Sequence, residues 1–397
     1  MENAALWRKC TAIQGELVEM RRALHRIPET GERLEKTSAY VISKLEQLGI
    51  PYVRSGRDSA IAAHIRGSRP GKRIILRADM DALPIREETG ASYASEHDGF
   101  MHACGHDAHT AMLLGAAKVL QLNRAALKGE AVLIFQTAEE TAKGAKNVIA
   151  NGWLDGADAA FGMHIGTIIS NTAPAGTIFA VPGCCMASID RFTIRVTGVG
   201  CHGSTPEKGT DPINAAAHII TALQAINSRE FNACAPIVVT IGSIHGGSQY
   251  NIIPNCVEME GTIRSVDSGV RMAVAQRIEQ IAAAQAAVFG ADAQCIIDWG
   301  APPVINDESM VHLAAEADKE ITGEERTVTH LVAPNMGGED FAYYLEKLPG
   351  AYLFLSSANG AKNCAFAHHN SRFNVDEDVL HMGAALYVNI TERFLSN

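Results

Sequence analysis

Met101-His102-Ala103-Cys104-Gly105-His106-Asp107-Ala108-His109-Thr110 places one thiol, three imidazoles and one carboxylate within ten residues. It runs directly into Ala111-Met112-Leu113-Leu114-Gly115-Ala116-Ala117, whose composition is that of a buried helix. Soft and borderline donors crowded into a loop and held against a core helix are what a transition-metal site requires. A solvated loop that happens to be rich in histidine is the plainer alternative, and one histidine alone would favour it. A Cys-Gly-His core flanked by a further His and Asp favours the metal.

Working outward, apolar runs on either side of this loop read as inner strands. Arg73-Ile74-Ile75-Leu76-Arg77-Ala78, set off from Ala60–Ile65 by a turn at Gly67-Ser68-Arg69-Pro70-Gly71, ends on Asp79-Met80-Asp81. Ala131-Val132-Leu133-Ile134-Phe135-Gln136 delivers Thr137-Ala138-Glu139-Glu140, and Ala159-Ala160-Phe161-Gly162-Met163 delivers His164. Open α/β sheets place their sites just past the carboxyl ends of such strands. Taken singly, Asp79 could be a turn or cap residue, and adjacent acids are common in surface loops. Together, three strand ends aim Asp79, Glu139/Glu140 and His164 at one rim beside Cys104 and His106. Paired acids there can divide the work, one ligating and one moving protons. Ala367-His368-His369-Asn370 is a further candidate ligand loop.

The ends of the chain read as helical. Leu17, Met20, Leu24 and Ile27 recur at helical spacing, as do Tyr40, Val41, Leu45 and Leu48, with a break at Pro28–Gly31. Helices are also expected over Met310–Ile321 and Asp378–Phe394, with a strand at Ala351–Leu355. Between Pro182-Gly183 and Pro302 the texture changes. Arg191–Thr197, Ile237–Ile244, Val257–Ile263 and Ala293–Trp299 read as strands, and Asp211–Ile226 and Val270–Phe289 as helices. The order β-α-β-β-α-β is that of a ferredoxin-like sheet with helices on one face. The fold class expected is therefore α/β. A catalytic domain over 1–186 and 302–397, with a mixed sheet flanked by helices, is interrupted by an inserted domain over 187–301.

Composition narrows the function. The 397 residues carry a formal net charge of -10, with no basic cluster, which disfavours nucleic-acid binding. No run of 18 or more apolar residues occurs, so no membrane span is expected. Met1–Cys10 has no apolar stretch of the kind a secretory leader needs. Nine cysteines without framework spacing fit a reducing, cytoplasmic setting.

Several stretches carry a resemblance to a known family. They are Leu76-Arg77-Ala78-Asp79-Met80-Asp81-Ala82-Leu83-Pro84, His102–Asp107, Phe135–Glu140, Gly162-Met163-His164, Gly198–Pro206, Asn251-Ile252-Ile253-Pro254, Gly261-Thr262-Ile263-Arg264 and Gly338-Glu339-Asp340-Phe341. With them the chain resembles the two-metal aminoacylase/carboxypeptidase metallopeptidases. Within these it is similar to the amidohydrolase branch containing hippurate hydrolases and hydrolases of indole-acetyl amino acids. The resemblance covers nearly the whole chain and implies that the inserted domain is a lid and dimer interface, giving a homodimer or higher oligomer. It implies two divalent ions per subunit, held by Cys104 as a bridging thiolate, His106, Glu140, His164 and His369. Counting back from Phe373-Asn374-Val375-Asp376-Glu377 assigns that last ligand to His369 and leaves His368 at a position usually apolar. Glu139 would be the general base and His202 the donor to the oxyanion, while Asn251 and Arg264 would hold the substrate carboxylate. Without the resemblance, a surface salt bridge would be the better reading of Arg264.

A thiolate bridge favours Mn, Zn, Co or Ni over Mg or Ca. Asp79 and Asp107 are expected to orient ligand histidines from behind. The reaction so implied is hydrolysis of an N-acyl or N-aroyl amino acid, a small-molecule amide, to a carboxylate and a free amino acid. A dipeptidase or carboxypeptidase, or an aminohydrolase of an unusual aryl C–N bond, could use the same site. A structural zinc protein needs no spare carboxylate. Three positions depart from the family pattern: Thr137 and Gly166-Thr167-Ile168 where Pro is usual, and Glu207 where many relatives have His. None removes a ligand.

Overall fold

A computed structural model describes residues 5–396; the leader reading at Met1–Cys10 lies partly outside them. In chain order the first strands are β1 (Tyr52–Arg54), β2 (Ile61–Arg66), β3 (Arg69–Asp79), β4 (Lys128–Gln136), β5 (Ala159–Gly166) and β6 (Ile178–Phe179). Next come β7 (Gly183–Met186), β8 (Asp190–Thr197), β9 (Cys201–His202), β10 (Ile237–Gly246), β11 (Ile252–Ile253), β12 (Cys256–Ser265) and β13 (Asp292–Asp298). The last are β14 (Val304–Asn306), β15 (Thr327–Val328) and β16 (Gly350–Ser356). The helices are α1 (Lys9–Ala12), α2 (Gln14–His25), α3 (Glu35–Gln47), α4 (His106–Leu122), α5 (Gly144–Ala150), α6 (Pro212–Ala225), α7 (Ser268–Val288), α8 (Glu308–Thr322), α9 (Ala342–Leu345) and α10 (Leu380–Ser396). Among the described residues, no helix is long and apolar enough to cross a membrane.

The chain forms two compact units. The larger holds the residues up to Gly183, Ile305–Ala333 and the chain from Asp340 onward; the smaller holds Cys184–Val304 and Pro334–Glu339. The larger unit is built on an eight-stranded mixed sheet, ordered β1-β2-β4-β3-β5-β16-β6-β15. Its centre is parallel: β4 to β3, β3 to β5, and β5 to β16. Parallel strands covered on both faces must be apolar throughout. Accordingly β5 and β16 are buried along their whole length, and β4 from its third residue on. All four carboxyl ends open on one rim, which is where the site lies.

Helix α4 is buried over nearly its whole length, so it is apolar all round rather than amphipathic. It packs on β3 and against α2 and α10. Glycines permit the close approach: a side chain at Gly115 would meet Leu17, and one at Gly383 would meet the Met112 sulfur. The expected turn at Gly67–Gly71 is shorter than the sequence suggests. Strand β3 already begins at Arg69, and its register against β4 slips between Arg69 and Arg73. Pro70-Gly71 is thus a bulge inside a strand, which is where Pro and Gly are tolerated in sheets.

In the smaller unit four antiparallel strands run in the order β10-β12-β8-β13. This is the split βαββαβ arrangement read from the sequence. Strand β8 alternates buried and exposed residues. Its buried set, with residues of α6 and α7, forms a core separate from that of the larger unit. The Asp211 carboxylate caps α6 by accepting from the Ile213 and Asn214 amides. Segment 334–339, distant in sequence, also belongs to this unit.

Candidate metal centre

Gly105 adopts φ +90°, open to glycine, and starts α4 at His106. The turn leaves Cys104 and His106 buried side by side over the strand ends. Nδ1 of His106 donates to the Asp81 carbonyl at 2.7 Å, so Nε2 is the nitrogen left to face the cluster. That Nε2 is buried and has no hydrogen-bond partner, as does Oε1 of Glu140. Each faces an opposite charge, Asp79 Oδ2 at 3.5 Å and His369 Nε2 at 3.4 Å, without forming a hydrogen bond, and buried polar atoms left so are open to an ion. His164, near the end of β5, donates Nδ1–H to the Ile165 carbonyl at 2.9 Å and turns Nε2 to within 3.4 Å of Cys104 Sγ.

Four groups of His, Cys, Asp or Glu each bring their ligand atoms within 4.8 Å of one another among the described residues: Cys104/His106/Glu140, Cys104/His164/His368, Asp79/His106/His109 and Glu139/Glu339/Asp340, and the first two hold the thiol. A sulfur, imidazole nitrogens and a carboxylate suit borderline divalent ions. The two histidines of the 368–369 turn separate. The half-buried His368 has Nδ1 3.7 Å from Cys104 Sγ, whereas the exposed His369 has Nε2 3.4 Å from Glu140 Oε1. His369 adopts φ +64° and its amide donates to the Ala103 carbonyl at 2.9 Å. A non-glycine residue in that region is uncommon, and such strain clusters at functional sites.

Glu139 and Glu140 stand in a single tight turn between Ala138 and Ala142, both left-handed, at φ 55° and 53°. The turn is held by Asp81. Its two carboxylate oxygens accept the amides of Glu139 at 3.0 Å and Glu140 at 3.2 Å. Asp81 therefore fixes both acids with its side chain and His106 with its carbonyl. The sequence reading passed over it in favour of Asp79. The signal was present in the Asp-Met-Asp pair after β3, but not the division of labour within it.

Asp79 binds Nδ1 of His109 at 2.5 Å and Arg77 at 2.7 Å; Asp107 binds His25 at 2.7 Å and Arg21 at 2.8 Å. Main-chain carbonyls hold Nδ1 of His106 and His164, and Asp79 approaches His106 from the other side, Oδ2 to Nε2 at 3.5 Å. His109 has both nitrogens engaged, the second accepting from the Ile165 amide, so it braces the cluster rather than ligating. Arg77 also reaches Asp340 at 2.8 Å, and the Asp340 amide points at Glu139 Oε1, 3.4 Å away. Beside the loop, burial pushes His102 down to about 3, and neither of its ring nitrogens has a hydrogen-bond partner.

Charge is graded across the cluster. Burial pushes the Cys104 thiol well up, and Glu140 adds to it. Against burial, Asp79 holds His106 well above the ordinary imidazole value, and Arg77 with His106 and His109 holds Asp79 well below that of a carboxylate. Burial and then His109 push His164 well down, which keeps its lone pair available.

The other expected site residues lie in the smaller unit. His202 and Asn251 are exposed neighbours: β9 pairs with β11, and the Gly203 amide donates to the Asn251 carbonyl at 2.8 Å. Ser204 approaches His202 Nδ1 through its amide at 3.1 Å and its hydroxyl at 2.8 Å. Arg264, on β12, keeps a buried Nη1 without a partner, a donor available to an anion. Glu207 is exposed in the Pro206–Lys208 turn.

These features make a candidate metal centre on a mixed α/β sheet. The sequence model of Peptidase family M20/M25/M40 matches residues 75–393, and the chain belongs to that family of metal-dependent hydrolases. It is 40% identical over 370 residues to an N-acetyl-L-cysteine deacetylase of Bacillus subtilis (strain 168), covering 93% of this chain and 86% of the relative. It is 34% identical over 385 residues to the IAA-amino acid hydrolase ILR1-like 4 of Arabidopsis thaliana, covering 96% and 86%. A solved Bacillus subtilis structure, described as a dinuclear metal binding peptidase from the M20 family, superposes with a TM-score of 0.84. It is 36% identical and covers 97% of this chain and 99% of its own.

Proposed function

We propose that the protein hydrolyses the amide bond of N-acyl or N-aroyl amino acids, releasing a carboxylate and a free amino acid. The observation that carries this reading is a thiol gathered with His106 and Glu140 and also facing His164 Nε2 at 3.4 Å, with a second buried acid, Glu139, fixed next to Glu140 by Asp81. Cys104, His106, Glu140, His164 and His369 are assigned as ligands of two divalent ions, Mn, Zn, Co or Ni. Bound there, such ions polarise the amide carbonyl and make water acidic enough to react near neutral pH. Glu139 takes the proton of the attacking water and returns it to the leaving amine. Asp81 holds the backbone that carries this carboxylate, its two oxygens accepting the Glu139 and Glu140 amides. His202 donates to the developing oxyanion, and Asn251 and Arg264 hold the substrate carboxylate. The smaller unit serves as lid and dimer contact, in a cytoplasmic homodimer or higher oligomer.

The test is hydrolysis of hippurate, N-acetyl amino acids, indole-acetyl amino acids, p-aminobenzoyl-glutamate and dipeptides by chelated protein, then after adding back each metal. Metal-restored turnover of an acylated amino acid is expected. Turnover of dipeptides alone would move the reading to a peptidase. Glu139→Gln should lower kcat by roughly 100-fold or more while leaving metal content unchanged. Loss of metal in that variant would mean that the two acids are assigned the wrong way round.

A further inference from the structure

Two adjacent histidines approach the cluster, and their hydrogen bonds give them different roles. The Thr167 amide donates to Nε2 of His368 at 3.0 Å. That bond needs a lone pair on Nε2, so the ring is neutral and its single proton sits on Nδ1. Nδ1 faces Cys104, whose Sγ lies at 3.7 Å and whose main chain also approaches the ring. A protonated nitrogen has no lone pair for a metal, so Cys104, His164 and His368 are not three ligands although their atoms lie together. His164 differs in which nitrogen faces the sulfur. There Nδ1–H is taken by a main-chain carbonyl, and the free Nε2 faces the same sulfur.

We infer that His368 is a positioning residue that donates Nδ1–H to the sulfur of Cys104, tuning the shared thiolate without binding metal. The inference rests on the reading of Cys104 as a thiolate ligand. Its slot is built for one ring orientation. Gly166, at φ +134°, leaves the space: a Cβ there would stand 2.3 Å from His368 Nε2. The rings of Phe373 and His164 lie against it, with centroids at 4.5 and 4.9 Å. The Thr167 hydroxyl ties the segment to the Phe366 carbonyl at 3.0 Å. Flipping the ring would turn a carbon toward the Thr167 amide and leave that buried donor unpaired, which is costly. An N–H···S bond draws electron density from a thiolate, so the sulfur binds its metals less covalently and leaves them stronger Lewis acids.

Cobalt(II) reports on this directly, because thiolate-to-cobalt charge transfer absorbs in the near ultraviolet. The cobalt-loaded parent, His368→Leu and His368→Asn are compared for cobalt per chain and for the position of that band. His368→Leu should hold as much cobalt as the parent, with the band moved to lower energy. The Asn amide can place an N–H where Nδ1–H was, so His368→Asn should bring the band back toward the parent. Loss of one cobalt per chain in either variant would make His368 a ligand and overturn the inference, as would an unmoved band in His368→Leu. Should the Leu variant not fold, the Asn variant alone decides: full cobalt and a parent-like band support the donor, a lost cobalt overturns it. A parent without the band, matched by Cys104→Ala, would remove the thiolate reading itself, a result distinct from either.

Discussion

At the scale of single residues, the site depends on which atom of a side chain or main chain is used. Asp81 illustrates this. Its carboxylate serves two amides and its carbonyl serves His106, so one residue sets the base, a ligand acid and a ligand imidazole together. A sequence reports that an aspartate is present, not which of its oxygens faces what. The same limit applies to His368 and His369, whose roles separate only through the Thr167 amide. Away from the centre, Asp318 is buried on α8, where burial, against a hydrogen bond from Thr327, pushes it up from 3.8 to about 6. An acid raised on folding penalises the native state once the unfolded chain ionises. The penalty is absent below 3.8, grows between 3.8 and about 6, and is constant above. Asp318→Asn should therefore stabilise the protein at neutral pH by on the order of 2 kcal/mol. Its advantage over the parent in denaturant titrations should vanish as pH falls through that window; a gap independent of pH would refute the assignment.

At the scale of elements, what the sequence makes legible is what periodicity and strand polarity dictate. Apolar runs mark β3, β4, β5 and β16, and the acids and histidines at their ends follow from sheet geometry, so Glu139, Glu140 and His164 could be placed on one rim from sequence. The details set by close backbone approach could not. Pro70-Gly71 looks like a turn and is a bulge, because that distinction depends on the partner strand. Gly144 is another case: a Cβ there would lie 1.6 Å from the Thr137 carbonyl oxygen. Backbone cannot yield as a side-chain tip can, and Thr137 leads directly into the turn that carries Glu139. Gly144→Ala should displace this turn and lower kcat by roughly 100-fold. The loss in kcat should exceed the loss of metal; unchanged kinetics would mean that α5 moves instead.

At the scale of the molecule, two cores divide the chain, and all five proposed metal ligands lie in the larger unit. An ion that binds only the folded state stabilises it by about 4 kcal/mol at a thousandfold excess over Kd. Chelation should therefore speed hydrogen exchange in β3, β4, β5, β16 and α4 while leaving β8 and β12 unchanged. Equal acceleration in both units would show that they unfold as one. The larger unit is also discontinuous in sequence: β16 lies next to β5 in the sheet, yet the whole of β8 to β13 is translated between them. A ribosome adding about 5–20 residues per second therefore holds β5 with an open apolar edge for on the order of ten seconds. During that interval the nascent chain lacks the strand that closes the sheet and the histidine turn that completes the centre. The emerging half-sheet thus waits with four of the five proposed ligands already made, and the set is complete only after synthesis has passed the 368–369 turn.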